Sequence, residues 1–444
     1  MVEAVNDYLE QQTLTKPSIP VADMIELATK YGTPFYLIDQ PTLISSLREL
    51  EDSYRGYSGL VRITYSMKAN FNSIVVRTFI KENLLFDITS VGELFFYLKC
   101  SGKPENIIYT SVTEEEEELA EVLSAGVDRL VVSSFNGLTN LINASESLGL
   151  APSVMIRVNP EVGVRAEVKA SYRQGKFGVT LSGSSLDTAS TLLKKIMSSV
   201  LDFEGFHFHL GSQIENPICF VNALEKLEAF ITRMRREYPD LDVKVLDIGG
   251  GTPVFYGSPI PTPGEMGSMI CPALNSMIER LGTDTTVIVE SGRFLSSPAC
   301  ILVSKIVNTK VHGFQKFIFV DAGYHLLLDA ALLRQEYPQE VIPPSDQTDH
   351  FKLNLAGRLC DTYDIFPISP ISKLQGADPG KFVVFRNVGA YSVVFNMPFH
   401  CMTKPPILAR TSDSEYVLTR RRQTINELFE EEGGNLMIPA SGIG

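Results

Sequence analysis

Short apolar, β-rich runs alternate along the chain with stretches that carry apolar residues at helical spacing. From Arg62 onward the β-like runs read RITYSMK, LLFDITS, IIYTS, RLVVSS, SVMIRVN, GFHFHLG, VKVLDIG and TVIVES, eight in all. Segments such as SIVVRTFIKE and VGELFFYLKC separate them and predict helices. Another helix is expected to start in TEEEEELAEVL, with Thr113 as cap and Glu116 closing a capping box. The acidic run Glu114 to Glu118 then reads as a solvated first helical turn favoured by the helix dipole, rather than as a metal or basic-partner site.

Eight strand–helix units predict an α/β fold, a closed (β/α)8 TIM barrel over residues 40–296, with an open doubly wound sheet as the alternative. After about residue 296 the texture changes. CILVSKIVNTKV, KFIFVDAG, HFKLNLAG and KFVVFRNVGAYSVVF are strand-like with few helical patterns between them. Residues 297–444 therefore predict a second, mainly β domain, which the first 39 residues join through the strand-like FYLID at 35–39.

Composition narrows the function classes. The 444 residues carry a net charge of −13, which argues against nucleic acid or an anionic membrane as partner. No apolar run is long enough to span a bilayer, and MVEAVNDYLEQQ lacks the basic and apolar regions of a signal peptide. The six cysteines are scattered without metal-like spacing, so reduced thiols, a cytoplasmic location and no bound metal are expected.

Barrel active sites lie at the C-terminal strand ends. Strand one ends at Lys68, strand six at His209 before Gly211 and Ser212, strand seven at Gly249–Gly251, and strand eight at Glu290 before Gly292 and Arg293. The glycine run reads either as a tight turn or as a loop whose amides approach a phosphate, and Arg293 beside it favours phosphate. Lys68 is either a lysine snorkelling from a strand end or an amine made nucleophilic by burial and nearby cations. A phosphate site opposite a reactive lysine suggests pyridoxal phosphate. Glu290, otherwise a structural salt-bridge acid, would then keep the pyridine nitrogen protonated. His207 and His209 share one face of FHFHL and are either core histidines or, for at least one, a stacking partner for a flat ring.

The ordered segments YSMKAN, FDITSVGEL, KFG, HFHLGSQ, DIGGGTP, ESGRFL, CDTYD and GAY resemble the fold-type III pyridoxal-phosphate decarboxylases from about residue 30 to 400. The likeness is greatest to diaminopimelate decarboxylases and more distant to ornithine and arginine decarboxylases. It implies that Lys68 holds the cofactor as a Schiff base, that His209 stacks on the ring, and that Glu290 pairs with its nitrogen. Ser212, Gly250, Gly251 and Arg293 would hold the phosphate, with Tyr391 beside it and Asp87 near the cofactor; Glu93 falls in the same segment. Cys360 would reach the neighbouring subunit's site as the acid that returns a proton after CO2 leaves, with Asp361 and Asp364 near the substrate side chain. Shared sites imply a homodimer.

Two departures bear on the substrate. Diaminopimelate decarboxylases typically read CESGD where this chain reads CDTYD. They also carry an arginine for the distal substrate carboxylate in the segment after DAG; here that segment is DAGYHLLLDAALL, with Asp329 at the corresponding position. The VKASYRQGKFG segment also differs. An acid at 329 favours an ammonium, so the expected substrate is a diamino acid such as lysine or ornithine, or a biosynthetic conjugate of one. Arg334 keeps meso-diaminopimelate open. An amino-acid racemase, which would favour an arginine at Glu290, and a non-catalytic regulatory homologue, which would lose Lys68, are the rivals.

Overall fold

The computed structural model describes residues 17–345 and 350–434; the N-terminal segment read for a signal peptide lies outside them. The chain divides into two compact units, one of residues 43–254 and 259–296 and one of 17–42, 255–258 and 297–434.

The first unit is the closed barrel. Its strands are β1 (Val61–Ser66), β2 (Leu85–Ile88), β3 (Ile107–Tyr109), β4 (Arg129–Val132), β5 (Ser153–Asn159), β6 (Asp202–His207), β7 (Val245–Asp247) and β8 (Thr286–Ser291). All eight match the runs read from sequence. They pair in parallel in the order β4-β3-β2-β1-β8-β7-β6-β5, and β4 pairs with β5 to close the ring. The major helices between them are α1 (Ser73–Lys81), α2 (Val91–Lys99), α3 (Glu116–Ser124), α4 (Phe135–Leu148), α5 (Ala189–Ile196), α6 (Ile218–Met234) and α7 (Pro263–Leu281). Capping boxes form on α7, where Thr262 and Glu265 exchange bonds, and on the helix Ile425–Glu431, through Thr424 and Glu427, but not on α3.

Thr113 does not cap α3, which starts at Glu116 with no side-chain cap. Glu114 is not a solvated helical acid either. It is buried at a left-handed φ of 51°, and its carboxylate accepts from the Ser133 and Ser134 hydroxyls. Charge periodicity could not reveal this, because the turn that tucks Glu114 inward is set by serines some twenty residues later.

Side chains at i and i+2 of a strand share a face, and this orders the barrel interior in layers. Leu85, Ile108, Val131, Met155, Val245 and Ile288 pack as one apolar cluster. Two residues on, toward the C-terminal ends, the same strands carry Asp87 (β2), Arg157 (β5), Asp247 (β7) and Glu290 (β8). In β6 the corresponding pair is Gly205 and His207. Gly205 lies level with both Met155 and Val245, and His207 with Arg157 and Asp247. A Cβ at Gly205 would sit 1.8 Å from the Val245 carbonyl oxygen, so only glycine lets β6 and β7 approach this closely.

The second unit is built on a nine-stranded sheet. Phe35–Asp39 lies between Cys300–His312, antiparallel, and Ile407–Arg410, parallel, so the FYLID run is an interior strand. Val21–Tyr31 packs Met24, Leu27 and Ala28 onto this sheet beside Phe35, Leu37, Ile301 and Val303. The KFVVFRNVGAYSVVF run is strand only over Phe382–Phe385; it then turns through Asn387 and Tyr391, both at left-handed φ, to a 3-10 turn at Val393–Phe395. Residues 255–258 belong with this unit because Asn387 Nδ2 donates to Phe255 O at 2.8 Å and Ser369 Oγ to Tyr256 O at 2.8 Å. No described helix is long and apolar enough to cross a membrane.

Gly205→Ala is expected to destabilise the barrel by at least the ~1–3 kcal/mol of an overpacked core, read as a lower urea midpoint. Gly163→Ala, where an added Cβ meets nothing within 4 Å, should leave the midpoint unchanged.

Candidate active site

Lys68 stands on a 3-10 turn, Met67–Ala69, directly after β1. Met67 and Ala69 are buried, and the Tyr65 hydroxyl donates to Asn70 O at 2.8 Å, so the turn is pinned with Lys68 directed away from the core. Gly292 allows the turn to approach the end of β8: a Cβ there would sit 2.8 Å from the Ala69 Cβ. The Lys68 ammonium meets Asp87 Oδ2 at 2.6 Å. Asp87 is buried while the Lys68 side chain remains 40% exposed, so the pair is anchored on the buried carboxylate. Asp87 Oδ1 is buried without a hydrogen bond.

Glu290 enters from β8. Its Oε1 lies 3.2 Å from His207 Nε2 and its Oε2 3.8 Å from His209 Nδ1. Burial alone would raise the Glu290 pKa, but the His207 hydrogen bond and the Lys68 charge oppose it and hold the carboxyl below the usual range. Burial, together with Lys68 and Arg157, pushes His209 down to about 3. The Gly250 N–H donates to His209 Nδ1 at 3.0 Å, which requires a bare Nδ1 and agrees with a neutral ring. Burial lowers His207 as well.

The loop after β7 is narrow because its glycines are needed for space. A Cβ at Gly249, itself at φ 68°, would sit 2.4 Å from Phe208 O, and one at Gly250 2.7 Å from Glu290 O. Gly250 is thus committed, its N–H to His209 and its bare Cα to the β8 end. Gly251, at φ 122°, runs against Gly211 O and Ile214. The Arg293 guanidinium, buried at the start of a short helix after β8, donates from Nε to Ser212 Oγ at 3.1 Å. A hydroxyl and a guanidinium paired beside a glycine loop are a donor set suited to a phosphate.

Several neighbours were not given roles by the sequence reading. Arg157 is buried in the layer of Asp87, Asp247 and Glu290 and stacks on the Phe177 ring at 4.8 Å; burial lowers its pKa against the pull of Glu290 and Asp87. Asp247 is buried with its Oδ1 accepting from Gly249 N at 2.8 Å. The signal for both was present: each lies two residues beyond an apolar barrel position in a run already read as a strand. Glu93, on α2, accepts from Thr89 N at 2.8 Å and is raised by burial.

The remaining candidates lie in the second unit. Cys360 is exposed. Asp361 accepts from Tyr363 N at 2.7 Å and from the Tyr324 hydroxyl at 3.3 Å. Asp364, expected near the substrate side chain, is instead buried, and both its oxygens are occupied by the amides of Tyr324 (2.8 Å) and Leu359 (2.6 Å). It holds the Cys360 loop in shape. Tyr391 takes a left-handed φ of 55°, a conformation that costs about 1 kcal/mol or more and tends to occur at functional sites. Asp329 is buried on the short helix Leu328–Leu332, whereas Arg334 is exposed.

Residues 43–297 match the family model described as "Pyridoxal-dependent decarboxylase, pyridoxal binding domain". The diaminopimelate decarboxylase of Vibrio cholerae serotype O1 is 30% identical over 432 residues, covering 96% of this chain and 98% of that protein. The crystal structure of Helicobacter pylori diaminopimelate decarboxylase complexed with L-lysine superposes with a TM-score of 0.82 at 25% identity, covering 93% of this chain and all of that one. The lysine/ornithine decarboxylase of Vibrio vulnificus complexed with putrescine shares the fold, with a TM-score of 0.73 at 21% identity over 88% of this chain and 97% of that one.

His209 gives this site a measurable acid sensitivity. Its folded pKa, about 3, lies below the ordinary value near 6.5, so below that value the unfolded chain binds a proton the folded one does not. Stability from this group is present above pH 6.5 and declines as pH falls toward 3. His209→Gln removes the contribution, so its urea midpoint should fall less between pH 7 and pH 5 than that of the native protein.

Proposed function

The chain belongs to the fold-type III pyridoxal-dependent decarboxylases, and from that premise we propose that it decarboxylates a diamino acid of the lysine or ornithine kind, or a biosynthetic conjugate of one, in a site shared between two copies of the chain. That it is a pyridoxal-phosphate-dependent amino-acid carboxy-lyase follows from the family. The substrate, the assignment of residues and the dimer are our own reading.

The Lys68–Asp87 pair beside Glu290 and His209 carries the assignment. Pyridoxal phosphate supplies an electron sink, its protonated ring drawing in the electron pair left when CO2 departs. Lys68 provides the amine that binds the cofactor, and Asp87 holds that amine in place. Glu290, kept ionised, accepts from the ring nitrogen. His209, kept neutral, offers a flat uncharged face. Ser212, Arg293 and the Gly251 backbone would border the phosphate, the Gly250 N–H being taken by His209. Cys360, on a loop shaped by Asp364, serves as the proton donor to the partner copy's site, and Asp361 lies near the substrate side chain. A cytoplasmic homodimer fits this reading.

The substrate assignment rests on Asp329. A buried acid in place of an arginine would disfavour a distal carboxylate and favour an ammonium. Decarboxylation of meso-diaminopimelate is the second reading, favoured by the likeness to the Vibrio cholerae enzyme and by Arg334 five residues on.

Protein purified with pyridoxal phosphate should be yellow, and Lys68→Ala should abolish the colour and lower CO2 release by at least about a hundredfold, the low end for one positioned acid–base group. Protein that stays colourless rules out this use of Lys68. A CO2-release screen over D- and L-lysine, ornithine, arginine and meso-diaminopimelate tests the substrate. Lysine or ornithine should have the higher kcat/KM, and Asp329→Arg should shift preference toward meso-diaminopimelate by tenfold or more, equivalent to about 1.4 kcal/mol. Turnover of meso-diaminopimelate alone by the native protein would show the Asp329 argument to be wrong.

A further inference from the structure

The HFHLGSQ run ends in Gln213, a residue to which the proposed reaction gives no task. It lies between Ser212 and Ile214 in the short strand Gly211–Ile214, which pairs antiparallel with Ala166–Lys169 and sets Ser212 opposite Val168. Gln213 is buried and takes a left-handed φ of 59°, a conformation that residues other than glycine seldom adopt. Its side-chain amide bonds one residue twice: Nε2 donates to Val254 O at 2.9 Å, and Oε1 accepts from Val254 N at 2.6 Å. The side-chain amide thus stands in for a backbone strand partner at the far end of the glycine loop after β7.

We infer that Gln213 is a positioning residue for the cofactor phosphate. It locks the loop 249–254 against the strand that carries Ser212, so that the Ser212 hydroxyl, the Arg293 guanidinium and the Gly251 amide serve one anion. This rests on the reading of Ser212, Gly251 and Arg293 given above and names what holds them in register.

Loop and strand are tied along their length, and Gln213 makes the outermost tie. The Gly250 N–H donates to His209 Nδ1 at 3.0 Å, the Ile214 N–H donates to Gly251 O at 3.0 Å, and Val254 closes the series through Gln213. The packing leaves no slack: a Cβ at Gly251 would sit 2.4 Å from Ile214 Cδ1 and 2.8 Å from Gly211 O. With its carbonyl spent on Ile214, Gly251 keeps an N–H that meets no acceptor among the described residues, and so does Thr252. Beside them the Arg293 Nε donates to Ser212 Oγ at 3.1 Å. Backbone donors next to a hydroxyl and a guanidinium form a set that an anion satisfies. The backbone strain points the same way. Glycine takes a left-handed φ at little cost, as Gly249 does at 68°. A glutamine there adds the Val254 clamp, and strain held in place by its surroundings tends to mark functional sites.

Titrating cofactor-free protein with pyridoxal phosphate and, separately, with pyridoxal reads the phosphate site apart from the Lys68 amine. Native protein should turn yellow at a lower concentration of the phosphate ester. Gln213→Met, of similar length but without the hydrogen bonds, should raise the pyridoxal phosphate concentration for half-maximal colour about tenfold (about 1.4 kcal/mol) and leave that for pyridoxal within about twofold. Gln213→Gly removes the same bonds while easing the left-handed backbone, and should give the same selective loss. Ser212→Ala combined with Gln213→Met should cost little more than either alone, because both act on one contact. Losses that add, or that fall equally on the two ligands, would make Gln213 a general support of the fold and overturn the positioning role. Unchanged affinity for pyridoxal phosphate in both Gln213 variants would overturn it too. Native protein that takes both ligands alike would overturn the phosphate reading itself and the role of Gln213 with it, a result distinct from a native preference that the variants keep.

Discussion

The register that sets Gly205 level with Met155 and Val245, and His207 level with Arg157 and Asp247, is the constraint on which the barrel's chemistry depends. Parallel strands fix side chains by pairs of residues, and a slip of one would turn the whole polar layer outward. The apolar cluster from Leu85 to Ile288 excludes water below, and the next pair position on the same strands is where charge begins. Gly205 is part of this device: its missing side chain lets β6 close on β7 and brings His207 beside Asp247 and Glu290.

Placing that many ionisable groups in one buried layer forces a choice of protonation state on each. Attraction between opposite charges in a low-dielectric interior is strong, but an unmatched charge there is expensive. Lys68 with Asp87 is one matched pair, anchored on the buried carboxylate. Glu290 is the other fixed anion, and the two imidazoles beside it stay neutral because burial outweighs its pull. The result is a site with one anchored amine, one oriented anion and an uncharged ring edge, which is what a flat cationic heterocycle carrying a phosphate requires.

Much of this was legible in the sequence, for physical reasons. Each barrel strand is short, apolar and bounded by turn residues, so all eight could be read directly, and Lys68, His209, Glu290 and Arg293 stood out as polar residues at strand ends. Arg157 and Asp247 were harder. Each sits within or at the edge of an apolar run, where an ionisable residue looks like an interruption until the register shows five strands carrying one at the same level. Glu114 failed for the opposite reason: its neighbours are acids on a true helix, and only the Ser133–Ser134 turn, distant in sequence, draws it inward. Asp364 looked like a substrate-facing acid in CDTYD, yet the tight loop uses both its oxygens for backbone amides.

Where a residue's role depends on local periodicity, sequence suffices; where it depends on what else is buried at the same level, it does not. Specificity at residue 329 is of the second kind. A buried aspartate and an exposed arginine five residues later are opposite instructions to a substrate's distal group, and motif order ranks neither above the other. Burial does supply a ranking. A charge held out of water is felt more strongly than one screened by solvent, which is why the proposed substrate assignment rests on Asp329 rather than on Arg334.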